Sequence, residues 1–231
     1  MKNYKLLITG LFLFANVLTF AQNKEKREIQ AFDKLDVFGN IKVEMIKGES
    51  ETVDILAKNV KISDINISVD ERLLKIRMNS NLFDDDVDVK IKITYKEIRE
   101  ISGNAAADIV IKDSVKTDSF FISATSGARI KLKVDLNAID IKAYQGAHID
   151  ISGKSVLQET FVNTGGILSG SNFTSNKVYI KMNTGGKAEI IVKDLLDAGV
   201  NTGASLNYFG NPTEENIKTS LGGKINAWDK K

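Results

Sequence analysis

The chain has no cysteine, one proline and one histidine in 231 residues. The lack of cysteine excludes disulfides, zinc-thiolate sites, iron-sulfur clusters and thiol nucleophiles, so packing and hydrogen-bond ladders must hold the fold. The one proline, Pro212, stands in Gly210-Asn211-Pro212, a turn signal between periodic segments. Charge of one sign is missing too. The formal charge is +2, and residues 1 to 21 hold Lys2, Lys5 and no acid, which leaves 30 basic and 30 acidic side chains beyond them. A neutral body lacks the clustered positive surface that phosphate neutralisation requires, so no nucleic-acid partner is expected. It also lacks a polybasic tract for anionic lipid. Aromatics are sparse: beyond residue 21 stand Trp228, four tyrosines and eight phenylalanines.

The start of the chain reads as an export signal. Lys2 and Lys5 precede an apolar run from Leu6 to Phe20, and Thr19-Phe20-Ala21 forms a small-x-small cleavage site that would leave Gln22 first. The run falls short of the roughly 20 residues that span a bilayer. No cysteine follows it for lipid attachment, and no integral membrane segment is expected after cleavage. Gln22 to Gln30 is polar and charged, so residues 22–31 read as a short tether before a single domain over 32–231.

What the chain does have is a repeat. Asn163-Thr164-Gly165-Gly166 returns as Asn183-Thr184-Gly185-Gly186 and as Asn201-Thr202-Gly203-Ala204. Looser copies centre on Gly127, Gly146 and Gly222, so the marked glycines follow one another at steps of 19, 19, 20, 18 and 19 residues. Short alternating apolar runs flank nearly every one. A period that steady marks stacked coils. The fold expected is all-β, a right-handed parallel β-helix or β-solenoid with coils of about 19 residues over 98–228. Residues 32–97 also alternate with period two, with turn-rich separators such as Gly39-Asn40 and Lys47-Gly48-Glu49-Ser50. They are expected to form an antiparallel meander that caps the first end.

In this picture Gly127, Gly146, Gly165, Gly185, Gly203 and Gly222 make corners that need positive φ in a crowded stack. Asn163, Thr164, Asn183, Thr184, Asn201 and Thr202 align coil over coil as a side-chain ladder. A valine in place of Gly185 would then cost about 3 kcal/mol. A helix over Lys187–Leu196 is disfavoured because Ala188, Ile190 and Val192 alternate, which leaves room for one helical turn at Asp194–Asp197.

Candidate chemistry is thin. His148 and Asp150 share the outer face of one strand, but one histidine and one carboxylate make a poor metal or acid-base site. Asp84, Asp85, Asp86 and Asp88 lack the ligand spacing of a calcium loop and suit an exposed turn. No Gly-x-Ser-x-Gly elbow appears, and no acid pair is evident at matching positions of neighbouring coils. No catalytic, metal or cofactor site is therefore expected. Tyr144, Tyr179 and Tyr208 are the candidate stacking surfaces for a glycan, with the phenylalanines expected mostly in the core. Arg129, Lys131 and Lys133 line one strand's outer face, and Asp140 and Lys142, expected on the next coil, would partly offset them.

Three stretches carry a family resemblance: Phe32-Asp33-Lys34-Leu35-Asp36-Val37-Phe38-Gly39-Asn40-Ile41-Lys42-Val43, then Leu73-Leu74-Lys75-Ile76, then Ile101-Ser102-Gly103-Asn104-Ala105-Ala106 before the glycine-marked coils. Over residues 32 to 210 the chain resembles the head GIN domain of autotransporter adhesins, exported by Bacteroidetes-type bacteria. The resemblance implies a β-helical domain facing the periplasm or the outer cell surface of a Gram-negative bacterium, with an adhesive role and no catalytic residues to transfer. No series of amphipathic barrel strands follows, so a head without its own translocator is expected. The function expected is a non-catalytic interaction module for a protein or polysaccharide of the envelope. A polysaccharide-active enzyme and a structural protein that self-associates through its terminal coils are the alternatives.

Overall fold

A computed structural model describes residues 23–78 and 86–228. The expected signal at residues 1–21 lies outside them. Strands β1 (Asn23–Glu28), β2 (Lys34–Phe38), β3 (Lys42–Lys47), β4 (Thr52–Lys58), β5 (Ile65–Asp70), β6 (Leu73–Met78), β7 (Asp88–Tyr95) and β8 (Glu100–Asn104) lead into the coils. These are β9 (Asp108–Ala124), β10 (Arg129–Tyr144), β11 (His148–Asn163), β12 (Ile167–Met182) and β13 (Lys187–Val200), followed by β14 (Ser205–Phe209), β15 (Glu214–Thr219) and β16 (Lys224–Trp228). From β9 onward every neighbour is parallel and one coil on, as in a β-solenoid. Asp194–Asp197 continues β13 as strand and makes no helical turn.

Inside, the alternation stacks like on like. Ile55, Ile91, Val43, Ile109, Ile130, Ile149, Leu168, Ala188 and Leu206 are successive rung partners in one buried column that crosses nearly the whole stack. Each large member contributes about 1.5–3 kcal/mol by leaving water. Within the coils the alternation slips where two consecutive residues stand outside the core, as at Asn137-Ala138, Val156-Leu157, Ser171-Asn172 and Asn176-Lys177. Successive strand residues point to opposite faces, so a slip of this kind marks a bend of the chain around the core.

The N-terminal portion differs from a plain meander. β1, β4 and β7 are antiparallel neighbours, as are β5 and β6. β2 and β3, however, belong to the parallel stack: β2 lies between β6 and β8, and β3 between β7 and β9. The solenoid thus begins near residue 34, and its first strands are inserted between coils made later in the chain. Arg72 and Arg99 Nε, 3.0 and 2.9 Å from Asp33 Oδ2, tie that insertion together. Burial raises the Asp33 pKa, but the two guanidiniums outweigh it and hold the carboxyl below its ordinary value. The stretch read as a tether carries β1, whose charged residues pair with β4 along the sheet edge. Charge does not exclude a strand there, because an edge strand keeps its side chains in water.

Candidate functional site

The repeated tetrapeptide forms a tight turn with two successive positive φ angles. Thr164 and Gly165 have φ of 47° and 71°, Thr184 and Gly185 46° and 69°, and Thr202 and Gly203 48° and 70°. The Gly166, Gly186 and Ala204 N–H groups close these turns on the carbonyls of Asn163, Asn183 and Asn201. Gly127, Gly146 and Gly222 occupy the same place in their coils, each with φ between 73° and 80°. Coil-to-coil alignment is a backbone matter: Gly146, Gly165, Gly185 and Gly203 N–H donate to the carbonyls of Thr164, Thr184, Thr202 and Leu221 one coil on. Side-chain bonds join successive turns from Asn183 through Asn201 to Ser220, at 3.2 and 2.6 Å, and from the Thr125 and Ser126 hydroxyls to Gln145 Oε1, each at 2.9 Å. The Asn163 side-chain Oδ1 accepts from the Thr164 N–H within its own turn, and among the described residues no hydroxyl of Thr164, Thr184 or Thr202 joins the ladder.

The functional candidates separate. His148 Nε2 lies 2.8 Å from Ser169 Oγ, while Asp150 pairs with Lys131 at 2.7 Å, so the two do not form one site. That pairing also corrects the expected offset, because Asp140 and Lys142 sit on the other limb of β10. Of the aspartates near residue 85, Asp84 and Asp85 lie outside the described residues, and Asp88 pairs with Lys42 and Lys90 at 2.8 and 3.2 Å. Tyr208 is only 5% exposed and donates to Glu215 Oε1 at 2.9 Å, so it offers no stacking surface. Burial, then Glu215, raise its pKa.

Tyr144 and Tyr179 do come to one face, on the strand limbs that lead into the repeated turn. One outward column runs Glu100, Phe121, Asp140, Glu159, Tyr179, Asp197 and Asn216, each the rung partner of the next. Two residues on, a parallel column carries Ser123, Lys142, Phe161 and Lys181. Phe121 and Phe161 stand outward here, half-buried, against the expectation that phenylalanines fill the core. The Phe161 ring packs on Tyr144 at 5.5 Å and 50°, and Lys142 Nζ lies 4.9 Å from the Phe121 ring centre. Tyr179 is 42% exposed. Burial raises the Tyr144 pKa, with Lys142 lowering it and Asp140 adding to the rise.

Two open grooves share this face. One, of about 550 Å³, lies among Asp140, Glu159, Phe161, Tyr179, Lys181 and Asp197. The other, of about 410 Å³, lies beside Phe121 and is also lined by Asp140 and Glu159, so the two adjoin at that pair. Here an acid pair does recur at matching positions of neighbouring coils, contrary to the sequence reading. Asp140 has Lys142 at 3.4 Å, and Asp197 Oδ2 accepts from Asn216 Nδ2 at 2.8 Å. The rung behind Glu159 and Phe161 is pinned from inside by a buried polar chain. Gln158 donates to Thr160 Oγ1 at 2.9 Å and accepts from Ser175 Oγ at 2.8 Å, and Ser175 meets Ser155 at 2.8 Å. A satisfied buried network of this kind holds a rung in one register.

Solved structures share this architecture. A "putative adhesin" from Bacteroides fragilis matches with a TM-score of 0.80 and 16% identity, over 90% of this chain and 97% of that one. A "putative lipid binding protein" from Parabacteroides distasonis matches at 0.71 and 16%, over 90% and 96%. A "putative adhesin" from the same organism matches at 0.69 and 17%, over 91% and 98%. No curated protein matches the chain. A family profile described as "putative auto-transporter adhesin, head GIN domain" matches residues 31–212, and the chain belongs to that family.

Proposed function

We propose that the chain is an exported, non-catalytic, adhesin-like module that holds a polymer of the cell envelope or surface on the face bearing Phe121, Phe161 and Tyr179. The observation that carries this reading is the pairing of outward rings and carboxylates with rungs whose backs are locked into the core. Such a surface loses little conformational freedom on binding. The leader-like residues 1–21 and the family support export. Protease shaving of intact cells, with lysed cells as control, tests it: loss of the chain from intact cells is expected. Protection until lysis would place the chain in the periplasm and remove the adhesive part of the proposal.

One observation favours a second reading, a polysaccharide-active enzyme. Asp140 and Glu159 are rung partners, and rungs lie about 4.8 Å apart. Retaining glycosidases place their carboxyls at a similar distance. Against it, the Asp140 side chain is 40% exposed and Glu159 is also exposed, whereas a general acid needs a desolvated carboxyl. Polysaccharide turnover that Glu159→Gln abolishes would overturn the binding proposal.

Self-association is the third reading. β15 and β16 form the last described coil, where Ile217, Leu221 and Trp228 are 39%, 81% and 55% exposed. An open parallel edge is a template for pairing with a second copy. Sedimentation at high concentration that finds monomer alone would rule this out.

A further inference from the structure

The same face is specific about the chemistry it suits. The core of a protein-protein interface is depleted of charged side chains. Here charged side chains and aromatic rings share one outward column: Glu100 beside Phe121, then Asp140 and Glu159, then Tyr179 followed by Asp197. Lys142 and Lys181 flank Phe161 in the parallel column and offset two of the four carboxylates, so the face keeps a modest negative excess. A polyanion would meet four carboxylates, and a flat apolar partner would have to desolvate them without supplying donors, at a cost for each.

A sugar polymer meets both demands together. Its ring C–H faces stack on aromatic rings, and its hydroxyls donate to carboxylates in charge-assisted hydrogen bonds stronger than those between neutral groups. Spacing fits as well. Phe121 and Tyr179 are three rungs apart in one column, which is about 14 Å at the rung spacing of parallel strands. Phe161 lies between those two rungs in the parallel column, and the two grooves adjoin at Asp140 and Glu159 along the line that joins them. We infer that this face binds an uncharged polysaccharide laid along the solenoid axis, with Phe161 and Tyr179 as stacking surfaces and Asp140, Glu159 and Asp197 as hydroxyl acceptors. The inference rests on the binding role proposed above and names its ligand class.

The test uses the purified chain and an insoluble envelope preparation divided in two, one half digested with protease and the other oxidised with periodate. Affinity electrophoresis through soluble mannan, xylan, β-glucan and dextran accompanies it. Binding that survives the protease, disappears with periodate and is matched by retardation in at least one polysaccharide is the expected result. Tyr179→Ala and Phe161→Ala should each weaken that binding about tenfold, the loss of one ring contact. Trp228→Ala, an exposed ring at the last coil, should leave it unchanged. An unaltered melting temperature separates these losses from unfolding, and Glu159→Gln, which keeps the shape and removes the charge, provides a variant that spares the packing. Binding that survives periodate and disappears with protease overturns the glycan assignment while leaving the binding role in place. No binding to either half, with no retardation, overturns both.

Discussion

At the turn that repeats through the chain, glycine needs an angle and has room. Seven residues after Gly146 and Gly203, at Gly153 and Gly210, glycine has the angle and no room. A Cβ on Gly165 or Gly185 would meet nothing within 4 Å, because the repeated turn points into solvent. A Cβ on Gly153 would lie 1.9 Å from the Val134 carbonyl oxygen, and one on Gly210 2.1 Å from that of Val192, each the backbone of the coil before. Both also sit at φ of +108°. The glycine that the repeat displays is therefore the more replaceable one. The two that occur once every few coils are fixed by close approach of backbone to backbone.

Gly153→Ala should have the largest effect, about 3 kcal/mol or more in chemical denaturation, because overpacking and a forbidden angle add. A cost below about 1 kcal/mol would mean that the coil can move aside, and the contrast would collapse. Gly166→Ala should follow at about 2 kcal/mol. Its Cβ would lie 2.2 Å from the Ala143 carbonyl oxygen, although Ala128, Ala147 and Ala204 fill the same turn position in other coils and are fully buried. A neutral Gly166→Ala would show that the coils share one spacing. Gly185→Val should cost about 1–2 kcal/mol, the left-handed penalty alone. That is less than a crowded corner would impose, and a loss as large as that of Gly153→Ala would restore the crowded-corner picture.

Much of this could be read from the residues because a solenoid repeats its constraints. The 19-residue step, the inward columns and the strand at Lys187–Val200 all follow from alternation and period. What stayed hidden does not repeat. Gly153 and Gly210 are separated by coils with Val192 and other residues at that place, so no period points to them. The insertion of β2 and β3 between later coils leaves no local trace, because alternation is the same in parallel and antiparallel strands. The candidate face was half legible. Tyr144 and Tyr179 could be named as stacking residues, but the phenylalanines were expected mostly in the core by residue type, although alternation with Ile122 and with Val162 places Phe121 and Phe161 outside. The acid pair was legible and went unread: Asp140 and Glu159 lie 19 residues apart, which is one coil step, so the period itself makes them rung partners.

The smallest predicted effect has the opposite sign. Thr184 is β-branched and sits at φ 46°, a region that such residues rarely enter. Asparagine enters it more readily. The stacking bonds at this turn, from Gly165 N–H to the Thr184 carbonyl and from Gly185 N–H to that of Thr202, are made by backbone and survive any change of side chain. The threonine itself is exposed. Thr184→Asn should therefore stabilise the chain by about 0.5–1 kcal/mol, seen as a higher melting temperature. If stability falls or stays level, the threonine side chain supports the turn in a way that its open surroundings do not suggest, and the repeated corner is not the free one of the two.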